Sequence, residues 1–137
     1  MKSVLAIDYG EKRMGLAASD LERKFSFEIG TWLNDKNFFA KLRDLARERE
    51  ADTIVLGFPL NLSGQETRKS GEVLEFRSRL EREFPEMKIE LADERLSSKM
   101  AEKISGRNKN IDGLAAQIFL EAYLKRNRQE PEAADLK

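Results

Sequence analysis

The chain has 137 residues, enough for one domain with a sizeable core, and it contains neither cysteine nor histidine. Cysteine nucleophiles, serine–histidine triads, zinc sites of the cysteine/histidine kind and histidine general bases are therefore excluded. Lysine plus arginine and aspartate plus glutamate number 25 each, so a nucleic-acid partner needs a local basic patch rather than a global positive field. Carboxylates acting with hard divalent cations become the default chemistry by elimination.

The first stretch, residues 4–20, predicts a β-hairpin. Two apolar runs flank a turn that contains Gly10, Lys12 and Arg13, and we expect the glycine to permit a tight turn. An acid, Asp8, ends the first strand. An ionised carboxylate among apolar strands is costly unless something compensates it, and a metal ion is one such partner.

The rest of the chain alternates strand and helix patterns. The first predicted elements are a strand over residues 24–33, a helix over about 35–50 capped by Asn34 or Asp35, and a buried strand over 53–57. A second helix follows, opened by a capping box over 63–66 and stopped by Pro85. The last predicted elements are a strand over 88–92, a short helix after Ser97 and a helix over about 111–124. This order predicts an α/β domain with a mixed sheet, in which a three-stranded antiparallel hairpin unit joins parallel strands, flanked by helices on both sides.

We expect residues 1–125 to form this single domain and residues 126–137 to form a charged, flexible tail, since large apolar residues are almost absent there. No apolar segment approaches the ~20 residues of a membrane span. The expectation is a cytoplasmic protein with no membrane partner.

Acids stand at three element edges, next to apolar segments: Asp8, the pair Asp93 and Glu94, and Asp112. If neighbouring strands end together, these carboxylates converge, and two Mg²⁺ or Mn²⁺ ions would turn their repulsion into binding. Such ions activate a water and stabilise the leaving oxygen in phosphodiester hydrolysis. Each acid also has an ordinary structural interpretation, as a turn residue, a surface ion pair or a helix-dipole partner. Taken together, with the other catalytic residue types absent, they favour a metal centre.

Basic residues flank the same loops, and they are Lys12, Arg13, Arg95, Arg107 and Lys109. Cations beside a carboxylate cluster are typical of a protein that binds a phosphate backbone. The alternative is solvated surface charge, because 36% of the chain is charged.

Four ordered motifs resemble the YqgF/RuvX family. They are Asp8-x-Gly10-x-Lys12-Arg13-x-Gly15-x-Ala17-x-Ser19-Asp20, Gly57-Phe-Pro-Leu with Gly64, Asp93-Glu94-Arg95-Leu-Ser-Ser, and Asp112-x-x-Ala115-Ala116. The resemblance spans residues 4–124. Members are described as Holliday junction resolvases or pre-16S rRNA nucleases, and their fold is RNase H-like.

The resemblance implies a metal-dependent nuclease whose metal-binding, catalytic centre is Asp8, Glu94 and Asp112. Lys12, Arg13 and Arg95 would lie near the substrate phosphates. Whether Asp93 or Glu94 faces the metals stays open, because alternation sends adjacent strand residues to opposite faces.

Several functions remain in competition. The favoured substrate is pre-16S rRNA at its 5′ end, with branched DNA as the alternative, and the oligomeric state is a monomer or a homodimer. The sugar kinase and actin superfamily also places Asp-x-Gly in a hairpin, so an ATP-binding switch is a second class, although this chain has room for only one such domain. A non-catalytic nucleic-acid-binding assembly factor is the third.

Overall fold

The computed structural model describes residues 2–59, 65–93 and 111–135, with side chains in the last range described for residues 113–127. The elements are β1 (Ser3–Asp8), β2 (Arg13–Ser19), β3 (Ser26–Leu33), α1 (Phe38–Glu48), β4 (Ala51–Phe58), α2 (Arg68–Glu83), β5 (Lys88–Asp93) and α3 (Ile111–Asp135). The predicted alternation of strands and helices is confirmed for these ranges. The short helix predicted after Ser97 lies outside the described residues.

The five strands form one mixed sheet in the order β3-β2-β1-β4-β5. β1 and β3 are antiparallel to β2, whereas β4 is parallel to both β1 and β5. The antiparallel unit joined to parallel strands is therefore confirmed. Because β1, β4 and β5 run in the same direction, their last residues lie along one side of the sheet, which we call the carboxyl edge. The β1–β2 turn lies at this edge too.

Alternation along the strands divides the core into two layers. On one face, Leu5 and Ile7 of β1 pack with apolar residues of α1 and α2. On the other face, Val4 and Ala6 pack with Ala17 of β2 and with apolar residues of α3. The central strands are consequently covered on both sides, which explains their continuous apolar runs.

A bulge in β3 sets the register of the sheet near its carboxyl edge. Leu16 pairs with Gly30 and Ala17 with Glu28, so Ile29 is the additional residue of β3. Gly30 has a φ of 140°, a backbone conformation that favours glycine because it has no Cβ.

The start of α2 differs from the prediction. The N-cap is Thr67, whose side chain accepts from the Ser70 amide while the Ser70 hydroxyl accepts from the Thr67 amide. The helix therefore starts at Thr67 and not at the capping box predicted over residues 63–66, of which Ser63 lies outside the described residues. The Ser70 hydroxyl also donates to the Pro59 carbonyl oxygen at 2.6 Å. This tertiary bond ties the start of α2 to the end of β4, and spacing along the chain cannot reveal it.

The ends of the other helices differ as well. α1 is shorter than predicted and its N-cap is Asn37, so the caps predicted at Asn34 and Asp35 are wrong. α3 continues past the predicted end at Leu124 to Asp135. The flexibility expected of residues 126–137 stays a prediction. None of the helices within the described ranges is both long enough and apolar enough to cross a membrane.

Candidate active site at the carboxyl edge

Asp8 is the last residue of the central strand β1, and it is only 5% exposed. Alternation places it with Val4 and Ala6, on the face that α3 covers. A carboxylate in this position has lost most of its hydration, so its charged form requires compensation from its surroundings. Its oxygen atoms are ligands of the kind that Mg²⁺ and Mn²⁺ prefer.

Asp8 has glycine on both sides in the sheet. Its partner in β2 is Gly15. On the β4 side Ile7 pairs with Leu56, so the next pair of residues is Asp8 and Gly57. No side chain from an adjacent strand therefore occupies the position beside the carboxylate on the α3 face.

The first turn of α3 packs directly on β3 near the same edge. A Cβ atom at Gly113 would lie 2.7 Å from Oε2 of Glu28 and 3.1 Å from the carbonyl oxygen of Gly30. The contact with Gly30 brings the helix start to within two strand spacings of β1, about 10 Å. Asp112 directly precedes Gly113, so its backbone also lies near the carboxyl edge. The Asp112 side chain is outside the described atoms.

Asp93 is the last residue of β5, and it is exposed. Alternation groups it with Ile89 and Leu91, which pack in the layer of α1 and α2. It consequently lies on the face opposite to Asp8. An extended backbone would bring the following residue, Glu94, to the face of Asp8. Glu94 itself lies outside the described residues, as do the predicted phosphate contacts Arg95, Arg107 and Lys109. The described side chains include no cluster of three acids that could hold a metal ion.

Lys12 is the last residue of the β1–β2 turn and Arg13 is the first residue of β2, and both are exposed. Gly10 permits this turn, as predicted, because an added Cβ would overlap the carbonyl oxygen of Arg13. The backbone of Gly10 does not have a positive φ. The glycine is therefore required for the close approach of two backbone segments rather than for a left-handed conformation.

Tyr9 points away from Asp8, toward α1 and α2. Its ring packs against Phe76, with 5.0 Å between the ring centroids. Burial raises the pKa of the Tyr9 hydroxyl, and the negative charge of Glu72 raises it further, whereas the Asn34 amide lowers it as a hydrogen-bond partner. Base stacking by Tyr9 is thus disfavoured, since its ring is already engaged in the core.

Asn34 is a residue of the site that the sequence did not single out. Its backbone amide donates to the Lys12 carbonyl oxygen at 2.8 Å, and its Nδ2 donates to the Gly10 carbonyl oxygen at 2.9 Å. Sequence reasoning assigned Asn34 to a helix cap. The pairing of Arg13 with Leu33 brings it to the turn instead, and that pairing is a tertiary feature.

Comparisons with known proteins identify the family and the fold of this chain. The family model described as "RuvX: Holliday junction resolvase" matches residues 2–126. A protein of Maridesulfovibrio salexigens named "Putative pre-16S rRNA nuclease" is 39% identical over 90% of this chain and 98% of its own. A protein of the same name from Sulfurihydrogenibium is 35% identical over 92% of each chain. The structure of T. thermophilus RuvC in complex with a Holliday junction substrate aligns with a TM-score of 0.58 at 13% identity, over 95% of this chain and 98% of that one.

The fold and the acid at the end of its central strand define an α/β protein of the RNase H-like class. Within that class, the family model and the relatives assign the chain to one family. The chain belongs to the RuvX family.

Replacing Gly10 by alanine tests the close approach in the β1–β2 turn. We expect Gly10→Ala to lower the free energy of unfolding by about 1–3 kcal/mol, because the new Cβ forces the two backbone segments apart. Gly71→Ala is the matched control. Gly71 lies in α2 with nothing within 4 Å of a built Cβ, so its replacement should stabilise the protein by up to about 1 kcal/mol. Urea unfolding of both variants measures the difference, and a Gly10→Ala variant as stable as the parent contradicts the steric argument.

Proposed function

We propose that this chain is a nuclease dependent on divalent metal ions, with its active site at the carboxyl edge and pre-16S rRNA as its substrate. Family membership makes it a hydrolase of phosphodiester bonds. The observation that supports the site is the nearly buried carboxylate of Asp8 between Gly15 and Gly57, beside a turn that presents Lys12 and Arg13.

In this proposal Asp8, Glu94 and Asp112 hold Mg²⁺ or Mn²⁺. The described geometry supports two of the three positions, because Asp8 is on the α3 face and the backbone of Asp112 is near the same edge. Bound ions would supply an activated water and charge stabilisation for the leaving oxygen. The three carboxylates orient those ions from rigid elements, and their oxygen atoms suit a hard cation.

Lys12, Arg13, Arg95, Arg107 and Lys109 are the proposed contacts with the phosphate backbone. Lys12 and Arg13 are exposed and adjoin Asp8 along the chain. Cations in this position hold a polyanion next to the reacting centre without selecting a sequence. The neutral net charge of the chain means that such binding depends on this local group.

The RNA assignment is supported by the relatives, which are named as pre-16S rRNA nucleases. It implies a role in the 5′-end maturation of 16S rRNA during ribosome biogenesis, in the cytoplasm. A second candidate is Holliday junction resolution, which the family description and the RuvC complex favour. A single active site suffices to trim an RNA end. Symmetric cleavage of a junction requires two sites, as a homodimer provides.

Asp8→Asn tests the carboxylate centre directly. We expect cleavage of precursor 16S rRNA to fall at least about 100-fold, since the substitution removes a charged ligand while keeping its shape. Asp52→Asn is the control, because Asp52 is exposed at the start of β4, at the opposite edge of the sheet. The assay compares precursor rRNA with four-way DNA junctions in Mg²⁺, in Mn²⁺ and in EDTA.

Each other outcome of this assay has a defined meaning. Equal cleavage by the parent and Asp8→Asn contradicts the proposed centre. Metal-dependent cleavage of the DNA junction, without cleavage of the precursor rRNA, favours the second candidate function. Tight ATP binding without cleavage indicates the nucleotide-binding class, and nucleic-acid binding without cleavage indicates an assembly factor.

The pair Asp93→Asn and Glu94→Gln tests the assignment of faces at the end of β5. We expect Glu94→Gln to lower the cleavage rate by at least about tenfold and Asp93→Asn to leave it within about twofold, because Asp93 lies on the face opposite to Asp8. Single-turnover cleavage rates distinguish the two. A larger loss in Asp93→Asn reverses the assignment.

Replacing Lys12 and Arg13 together by alanine tests the phosphate contacts. Loss of two contacts should lower the slope of log K against log salt concentration by about 1.4–1.8 in magnitude. The control replaces Arg47 and Arg82, which are exposed in the last turns of α1 and α2, away from the carboxyl edge. Fluorescence anisotropy over a range of salt concentrations measures both slopes. If the salt dependence of binding has the same slope in the two double variants, Lys12 and Arg13 are not phosphate contacts.

A further inference from the structure

We infer that Asn34 is a positioning residue of the proposed nuclease site: it clamps the β1–β2 turn and so fixes where Lys12 and Arg13 present their positive charge. This inference rests on the proposed function.

The first step is the pair of contacts that Asn34 makes with the turn. Its backbone amide donates to Lys12 and extends the hydrogen bonding between β2 and β3 by one residue. Its side-chain Nδ2 donates to the carbonyl oxygen of Gly10 at 2.9 Å, across 24 residues of sequence, and this bond is partly buried. The side chain therefore connects Gly10, on the β1 side of the turn, to the end of β3. Neither contact belongs to the pairing of β1 with β2 itself.

The second step is the anchor on the other side of the turn. Tyr9 directly follows Asp8, and its ring packs on Phe76 of α2, which is itself 8% exposed. The turn is consequently held at Tyr9 by the aromatic core and at Gly10 and Lys12 by Asn34.

The third step concerns the interactions of the two cations. Among the described residues, neither Lys12 nor Arg13 forms an ion pair with a carboxylate. Their side chains are exposed. The position of each charge is then determined by the backbone that carries it, and Asn34 is the side chain that fixes this backbone. Holding charged groups in place before the substrate arrives reduces the entropy lost on binding.

Asn34→Ala tests the clamp, with Asn127→Ala as the matched control. Asn127 also donates from Nδ2 to a backbone carbonyl oxygen, that of Tyr123, at 2.9 Å, but within α3. We expect Asn34→Ala to speed hydrogen exchange about fivefold in a peptide covering residues 9–13, as the loss of one such bond allows. Asn127→Ala should leave that peptide unchanged. Unchanged exchange in Asn34→Ala overturns the clamp.

A double-mutant cycle separates positioning from a merely structural role. Affinity for a precursor rRNA fragment and for a four-way DNA junction is measured in the parent and in the Lys12→Ala, Arg13→Ala background. We expect Asn34→Ala to weaken binding about fivefold in the parent and to have no further effect in that background, because its action passes through the two cations. An equal loss in both backgrounds, or no loss in either, overturns the inference.

Failure of the proposed nucleic-acid binding gives a different pattern. The unsubstituted chain would then bind neither nucleic acid, which removes the positioning role. The exchange rates of Asn34→Ala and Asn127→Ala would still differ, since the hydrogen bond to Gly10 does not depend on a substrate.

Discussion

The burial of one carboxylate governs the architecture of this edge. Asp8 ends the central strand and is 5% exposed, and a charge so far removed from water is tolerated only where it is compensated. The sheet has glycine on both sides of it, at Gly15 and Gly57. Among the described strands, the neighbours of Asp8 in the sheet are therefore residues without a side chain.

The loops of this edge are fixed by bonds that cross between elements. The Ser70 hydroxyl ties α2 to the end of β4 at Pro59. Asn34 ties the end of β3 to the β1–β2 turn at Gly10. The close contact of Gly113 with β3 brings the start of α3 to the same edge. Two of these three contacts are hydrogen bonds from small polar side chains, which connect segments that lie far apart in the sequence.

Much of this fold is readable from hydrophobic periodicity. The hairpin, the buried strand that became β4 and the apolar stripe of α2 are local patterns, and the structure confirms each. The helix starts were harder, because the pattern of a capping box over residues 63–66 suggested an earlier start for α2 than the observed N-cap at Thr67. The true cap at Thr67 and Ser70 is reinforced by Pro59, a contact that depends on tertiary packing. Short-range patterns therefore predict elements well and their ends poorly.

The sequence by itself determined that acids end two strands and begin a helix, that histidine and cysteine chemistry is absent, and that two cations adjoin Asp8. These are properties of residue type and spacing. Only the tertiary structure decided that Asp93 lies on the face opposite to Asp8, that glycines flank the carboxylate and that Asn34 holds the turn rather than capping a helix. Each of these depends on the register between strands distant in sequence, which is set by packing both faces of the sheet at once.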